Sequence, residues 1–258
     1  MARSAVTGGG SEPPARLTRP RGLIVDYGGT LVEEVGYDAT AGQRALLSMA
    51  SSVPQSLTLD AVVRRAKDVT REIMARRDVF GIETPWVSLT RLIHDFFGTQ
   101  FSRPMADLER AFWDASVTTR PIAGAKAALD VFHAAGVPIA VLSNSSFSAD
   151  VIRHDLDKYG LADHLAFVMV TADYVVRKPS RFLFETAAAR LGVAPADVWF
   201  VGDRLDTDVA GARGAGMKAV WLEPTGAGRS DASDVPDVPD VIVKDWAELA
   251  RCFEGTSG

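Results

Sequence analysis

Six short apolar runs along the chain have the pattern of buried β-strands. The runs are GLIVDY (22–27), VPIAVLSN (137–144), LAFVMV (165–170), DVWFVGD (197–203), KAVWLE (218–223) and DVIV (240–243). They are rich in β-branched residues and nearly continuous rather than alternating, which is typical of parallel strands covered on both faces. The pattern therefore predicts a buried, mostly parallel sheet.

Helical patterns separate several of these runs. Residues 124–136, 148–160 and 179–192 have apolar positions at helical spacing, and each segment ends on a glycine. Pro179 stands near the start of the third segment, where the first turn of a helix tolerates proline. The alternation of strands and helices predicts an α/β fold with a doubly wound, Rossmann-like sheet.

One long segment interrupts this alternation. From Glu33 to Thr119 the apolar spacing is helical, and no strand pattern stands out. The clearest amphipathic patterns cover residues 59–77, 86–98 and 105–116. We therefore expect an all-helical insert placed after the first strand of the sheet.

These patterns divide the chain into a core, an insert and a tail. Residues 20–32 and 119–254 are expected to form the α/β core, and residues 33–118 the all-helical insert. Residues 1–19 are expected to be a flexible tail, because they bury too little apolar surface to offset the entropy of ordering. The proline-rich stretch 223–240 is expected to be a polar loop.

Composition narrows the classes of function. The net charge of -5, with no basic stripe, argues against nucleic acid as a partner. No apolar stretch is long enough to span a membrane, and the N-terminal residues lack the apolar core of a signal peptide. The single cysteine, Cys252, cannot form an internal disulfide, which fits a reducing compartment. We therefore expect a cytoplasmic protein, and the sequence leaves its oligomeric state open.

Polar residues follow four of the predicted strands. They are Asp26, the pair Ser143 and Asn144, the pair Arg177 and Lys178, and the acids Asp203, Asp206 and Asp208. Ligands bind beyond the carboxyl ends of parallel strands, so these side chains are expected at one edge of the sheet. Carboxylates gathered there need a cation, and Mg²⁺ prefers oxygen ligands and also binds phosphate.

The same residue types suit phosphoryl chemistry. A carboxylate can attack phosphorus and become an aspartyl phosphate, and a lysine can neutralise the phosphoryl oxygens. A serine hydroxyl and the backbone N–H groups of a glycine turn can hold phosphate. Gly28 and Gly29, just after Asp26, let the backbone approach a ligand closely.

Four motifs, taken in order, resemble those of a known family. They are DYGGT (26–30), LSN (142–144), RKPS (177–180) and VGDRLDTDVAGARGAGM (201–217). Together they resemble the haloacid dehalogenase-like hydrolases, and the last motif is similar to that of the family's phosphatases. The insert lies where the family has its type 1 cap, and we call residues 33–118 the cap. The resemblance implies Mg²⁺-dependent hydrolysis of a small phosphorylated metabolite through an aspartyl phosphate.

The resemblance also implies a role for each matching residue. Asp26 would be the nucleophile and a metal ligand, and the carbonyl group of Gly28 would also bind the metal. Asp203 would bind Mg²⁺, while Asp208 would support the metal or Lys178. Lys178 would stabilise the charge of the phosphoryl group.

Phosphate binding would fall to the second motif and to the glycine turn. Ser143 would hold the phosphoryl group, with Asn144 beside it. The turn residues Gly28, Gly29 and Thr30 would cradle the phosphoryl oxygens.

One residue departs from the family's pattern. The phosphatases usually carry an aspartate two residues after the nucleophile, and this chain has Gly28 there. That acid protonates the leaving group and then helps to activate water, a contribution of ~10²–10⁴-fold in rate.

Several interpretations of Gly28 stay open. The substrate has a good leaving group, such as an acyl phosphate, or another residue supplies the proton, for which His94, Glu33 and Glu34 are candidates. The aspartyl phosphate is long-lived and passes to another acceptor, or the protein binds phosphate or a partner without catalysis.

Two relatives within the family also lack that acid. The 2-haloacid dehalogenases usually lack the metal-binding acids too, so Asp203 and Asp208 argue against dehalogenation. Phosphonoacetaldehyde hydrolases use a lysine of the cap as a Schiff base, and the cap of this chain has only Lys67, in a charged helical pattern. Both stand below the phosphatase interpretation.

Overall fold

The structure is a computed structural model that describes residues 18–224 and 238–256. Among these residues the strands are β1 (Gly22–Val25), β2 (Val32–Tyr37), β3 (Val117–Pro121), β4 (Ile139–Ser143), β5 (Leu165–Val170), β6 (Val198–Gly202), β7 (Lys218–Leu222) and β8 (Val241–Val243). Six of them form one sheet in the order β5-β4-β1-β6-β7-β8, and every neighbouring pair is parallel. These six strands coincide with the six apolar runs.

Helices cover both faces of the sheet. The described α-helices are α1 (Ala39–Met49), α2 (Leu59–Phe80), α3 (Trp86–Phe97), α4 (Met105–Ser116), α5 (Ala125–Ala134), α6 (Ala149–Asp157), α7 (Arg181–Leu191), α8 (Ala210–Gly214) and α9 (Trp246–Glu254). Helices α5, α6 and α9 contribute to the apolar cluster on one face, and α7 and α8 to the cluster on the other. In β1, Leu23 and Val25 face the first cluster and Ile24 the second, which explains why the run is continuously apolar. The predicted α/β, doubly wound sheet is confirmed.

The segment between β1 and β4 contains the helices α1 to α4 and also two strands. Strands β2 and β3 pair with each other as a separate antiparallel sheet. The expectation that helices alone occupy residues 33–119 is therefore wrong at both ends of that segment. Strand β2 is mostly exposed after Val32, so it lacks the alternation of apolar and polar residues that marks a half-buried strand.

Residues 1–17 of the expected tail and 225–237 of the expected loop lie outside the described residues. The division of the chain into core and cap stays a prediction. In the described part of the chain, no helix combines the length and the hydropathy of a membrane span.

Candidate active site

Three carboxylates meet at the carboxyl edge of the main sheet. Asp26 directly follows β1 and Asp203 directly follows β6, its parallel neighbour. Asp208 lies in a single π-helical turn, Leu205–Val209, just beyond Asp203. One carboxylate oxygen of each of the three acids lies within 4.8 Å of the others. The topology of the sheet thus brings together acids that are far apart in the sequence.

Lys178 is the buried cation of this cluster, with 4% of its surface exposed. Its Nζ lies 2.8 Å from Asp26 Oδ1 and 2.6 Å from Asp208 Oδ1. It also donates a hydrogen bond of 3.3 Å to the carbonyl oxygen of Leu142. Burial by itself lowers the pKa of Lys178, but the charges of Asp208 and Asp26 outweigh it and raise that pKa. The lysine therefore stays protonated between the two acids.

Asp203 differs from Asp26 and Asp208 in that it makes no ion pair with Lys178. Its Oδ1 is buried and has no hydrogen-bond partner among the described residues. Burial, followed by the charge of Asp26, raises the pKa of Asp203 from 3.8 to about 6. Burial likewise raises the pKa of Asp208 to about 7. An unpartnered carboxylate oxygen beside a second carboxylate fits a hard cation such as Mg²⁺, which takes oxygen ligands.

The glycine turn after Asp26 contains two positions of different kinds. Gly29 has φ of +74°, and a Cβ there would collide with Asp203 Oδ2. A side chain at that position is excluded by the positive φ of the backbone and by the lack of room beside Asp203. At Gly28, by contrast, a Cβ would meet nothing within 4 Å. Packing therefore does not require glycine at position 28.

A cavity of about 690 Å³ opens beside the acids, and we call it the Asp26 cavity. Its lining includes the predicted residues Asp26, Gly28, Ser143, Asn144 and Lys178. Asn144 Oδ1 accepts a hydrogen bond of 2.9 Å from the backbone N–H of Lys178, so the second and third motifs are tied together. Ser143 is the last residue of β4 and is buried, and it lines the cavity.

Four other predicted residues do not line this cavity. Asp203 and Asp208 lie beside Asp26 in the acid cluster, and Gly29 packs against Asp203. Thr30 is fully buried, and its carbonyl oxygen accepts a hydrogen bond of 2.8 Å from Trp246 Nε1. The hydroxyl oxygen of Thr30 is buried with no hydrogen-bond partner among the described residues, and its role in phosphate binding stays a prediction.

The candidate proton donors lie in three different environments. His94 is buried in the cap, where its Nε2 lies 3.1 Å from Gln43 Oε1 and burial lowers its pKa to about 4. Glu33 is exposed and pairs with Arg120. Of the three candidates, Glu34 alone lines the Asp26 cavity.

A second cavity, of about 750 Å³, lies among the cap helices, and we call it the cap cavity. Lys67 lines this cavity and not the Asp26 cavity. Glu34, Arg77, Ser146 and Phe147 line both cavities. The two spaces therefore adjoin, and Lys67 stands on the cap side.

The structure also shows a buried acid that the sequence patterns do not mark. The side chain of Glu83, in the loop between α2 and α3, is fully buried and pairs with Arg177. Its Oε1 accepts a hydrogen bond of 2.9 Å from Ser146 Oγ, and its Oε2 accepts one of 2.8 Å from Thr171 Oγ1. Arg77 Nη1 approaches Glu83 Oε1 at 4.0 Å.

Backbone hydrogen bonds support the same junction of cap and core. The N–H of Arg177 donates to the carbonyl oxygen of Gly81 at 3.0 Å, and the N–H of Trp86 donates to that of Ser146 at 2.7 Å. Glu83 stands in no spacing pattern, because its partners come from loops of the core that follow β4 and β5. Only the packing of the cap on the core reveals it.

Comparisons with known proteins agree with this geometry. A family model described as HAD-hydrolase-like matches residues 175–249. A phosphoserine phosphatase of Thermus thermophilus is 39% identical over 88 residues, which make up 34% of this chain and 34% of that protein. Across the first three curated relatives, the matched part spans 28% to 51% of the relative's length. The chain thus covers about half or less of the length of those relatives.

Solved structures share the fold over most of the chain. A HAD phosphatase from Thermococcus onnurineus superposes with a TM-score of 0.55 at 19% identity, covering 91% of this chain and 98% of that one. A 2-haloacid dehalogenase from Pseudomonas syringae pv. Tomato DC3000 gives 0.58 at 19% identity, with the same coverage. These likenesses concern the fold, which phosphatase and dehalogenase have in common. Together the comparisons confirm the resemblance drawn from the four motifs.

Proposed function

We propose that this chain, which belongs to the haloacid dehalogenase-like hydrolase superfamily, is a Mg²⁺-dependent phosphohydrolase of small phosphorylated metabolites. The observation that carries the proposal is the convergence of Asp26, Lys178 and Asp203 beside one cavity. The cavity of about 690 Å³ has the size of a small-molecule site. A curated relative named as a phosphoserine phosphatase supports the reaction class.

The residues of the Asp26 cavity suit attack on phosphorus. Lys178 places a positive charge next to Asp26, where the phosphoryl oxygens would gather. Ser143 supplies a hydroxyl group that can donate to one of those oxygens. Asp26 attacks phosphorus, and the bond from phosphorus to the leaving oxygen breaks. Water then attacks the aspartyl phosphate, which releases inorganic phosphate and restores Asp26.

The metal would be held by the carboxylates of Asp26 and Asp203 and by the carbonyl group of Gly28. When bound, Mg²⁺ neutralises charge on the phosphoryl group and on the acids around it. We assign Asp208 to the lysine rather than to the metal. Its Oδ1 contacts Lys178 Nζ, and its Oδ2 accepts a hydrogen bond of 3.1 Å from the backbone N–H of Arg204.

One rival of another class is a non-catalytic phosphate-binding protein with the same scaffold. Gly28 is the observation that favours it, because a general acid is missing at a position with room for a side chain. The dehalogenase alternative is disfavoured by the presence of Asp203 and Asp208 in the acid cluster. The phosphonoacetaldehyde hydrolase alternative is disfavoured because Lys67 lines only the cap cavity.

Hydrolysis of acetyl phosphate and p-nitrophenyl phosphate, with Mg²⁺ or with EDTA, tests the proposal. We expect wild type to hydrolyse both with Mg²⁺, and Asp26→Asn to lose at least about 10³-fold in kcat. Asp163→Asn, an exposed acid that does not line the cavity, serves as the matched control. Full activity of Asp26→Asn would show that Asp26 is not the nucleophile. Inert wild type on every phosphate would favour the non-catalytic rival.

A further inference from the structure

The Asp26 cavity has an open space where an acid is expected. A leaving oxygen of high basicity needs a proton as its bond to phosphorus breaks, and glycine cannot donate one. The Cβ position of Gly28 has nothing within 4 Å, so no neighbouring side chain packs into that space. A carboxyl group from another part of the chain can therefore serve the same region of the cavity.

Among the described residues, three carboxyl groups line the Asp26 cavity: Asp26, Glu34 and Asp206. Asp26 is the proposed nucleophile. Asp206 is exposed, and both of its carboxylate oxygens accept hydrogen bonds from Arg204, of 3.1 Å from Nε and 2.8 Å from Nη2. Glu34 is the remaining acid.

The strand geometry directs Glu34 toward the cavity. Strand β2 starts at Val32, which forms a β-bridge with Gly28, so the strand leaves directly from the nucleophile turn. Successive residues of a strand point to opposite sides. Glu33 accordingly pairs with Arg120 at the surface, whereas Glu34 points to the other side and lines the cavity.

The pairing of β2 with β3 reinforces this direction. Glu34 is opposite Thr119, which also lines the Asp26 cavity. The register shifts between Glu34 and Gly36, and such a bulge is a common device for aiming a side chain.

Electrostatics agree with a proton-carrying role for Glu34. Glu34 keeps an exposed surface, and the burial of the rest of its side chain raises its pKa, so it keeps its proton to higher pH than an ordinary glutamate does. Tyr27, the residue next to Asp26, lines the same cavity as Glu34.

We propose that Glu34 is the catalytic acid and base that replaces the side chain missing at Gly28. This inference rests on the proposed phosphohydrolase function. As Asp26 attacks phosphorus, the bond to the leaving oxygen breaks and that oxygen takes the proton of the Glu34 carboxyl group. The resulting carboxylate takes a proton from water while the water oxygen attacks the aspartyl phosphate. The bond between phosphorus and Asp26 then breaks, and Glu34 is protonated again.

The test compares two leaving groups, because general acid help matters most for a basic one. Hydrolysis of phenyl phosphate and of the better leaving group in p-nitrophenyl phosphate is measured with Mg²⁺. We expect Glu34→Gln to lose about 10²-fold in kcat/KM on phenyl phosphate and less than about 5-fold on p-nitrophenyl phosphate. Glu33→Gln, the neighbour that faces the surface, is the matched control and should change both by less than about 2-fold.

A rescue experiment adds a readout that a structural role would not produce. Gly28→Asp in the Glu34→Gln background restores the acid from the family's usual position, and we expect at least about a 10-fold recovery on phenyl phosphate. Equal losses on both substrates, no loss on either, or no recovery with Gly28→Asp would overturn the role of Glu34. Each of these outcomes concerns Glu34 alone. The proposed phosphohydrolase function is tested separately, by the effect of Asp26→Asn on hydrolysis of p-nitrophenyl phosphate.

Discussion

The protein buries charged side chains in two clusters. The acids of the two clusters differ in how fully the described residues satisfy their hydrogen bonds. At the edge of the core, Lys178 lies between Asp26 and Asp208, while Asp203 keeps a buried oxygen that no described residue satisfies. Where the cap meets the core, both carboxylate oxygens of Glu83 accept hydrogen bonds from hydroxyl groups and the acid pairs with a guanidinium group.

The difference distinguishes the core cluster around Asp203, which can still bind a ligand, from the cap cluster around Glu83, which only fixes a geometry. A buried acid whose hydrogen bonds are complete contributes to a defined geometry and has no capacity left for a ligand. An acid with an unpartnered oxygen costs stability until a ligand arrives. We therefore expect substitutions in the core cluster to affect activity most, and substitutions in the cap cluster to affect stability most.

Lys178→Ala is expected to have the largest effect, because it removes the cation that both Asp26 and Asp208 share. We expect kcat to fall about 10²–10³-fold, and the free energy of unfolding to fall by about 3 kcal/mol because two buried acids lose their partner. Steady-state kinetics and urea unfolding followed by circular dichroism measure both. Lys218→Ala, which breaks an exposed pair with Asp240, should change stability by less than about 1 kcal/mol. A loss of stability in Lys178→Ala no larger than that in Lys218→Ala would show that Lys178 does not stabilise Asp26 and Asp208.

Asp203→Asn is expected to separate activity from stability. With EDTA present, loss of the unsatisfied charge should raise the free energy of unfolding by about 1–2 kcal/mol, because a pKa raised to about 6 marks a destabilised carboxylate. Activity with Mg²⁺ should fall at least about 10²-fold. Lower stability of Asp203→Asn than of wild type in EDTA would contradict the inference that the Asp203 carboxylate destabilises the fold when no cation is bound.

The pH dependence of stability gives a second check on Asp203. Its pKa is higher in the folded than in the unfolded protein, so the folded state binds more protons between about pH 4 and pH 6. The stability of wild type relative to Asp203→Asn should therefore decrease as pH rises through that window. Chemical unfolding in EDTA at several pH values measures this difference, and a difference independent of pH would contradict it.

Glu83→Gln is expected to have the smallest effect on chemistry. The free energy of unfolding should fall by about 2 kcal/mol, since the buried partner of Arg177 loses its charge. We expect kcat/KM to change less than about 10-fold at temperatures where the protein is folded, because Glu83 does not line the Asp26 cavity. Glu72→Gln, an exposed acid paired with Arg76 on α2, is the control and should leave both nearly unchanged. A larger loss of activity than of stability would place Glu83 in the chemistry.

The six parallel strands and the residues that follow them could be predicted because each signal is local. A strand buried on both faces must be apolar throughout, so a polar residue at its end is conspicuous in the sequence. Asp26, Ser143 and Asp203 were predicted in this way, and the parallel sheet brings these strand ends to one edge. Strands β2 and β3 could not be predicted, since a mostly exposed two-stranded sheet has no buried face to shape its pattern.

Apolar periodicity and chain order are enough to specify the α/β core and the acids at its carboxyl edge. Which side chains of the cap reach that edge depends on the packing of the cap on the core. It placed Glu34 at the Asp26 cavity, left Glu33 at the surface and buried His94 among the cap helices. It also joined Glu83 to Arg177, 94 positions away. Contacts between distant segments depend on how the cap packs on the core, and no local pattern of residues records that packing.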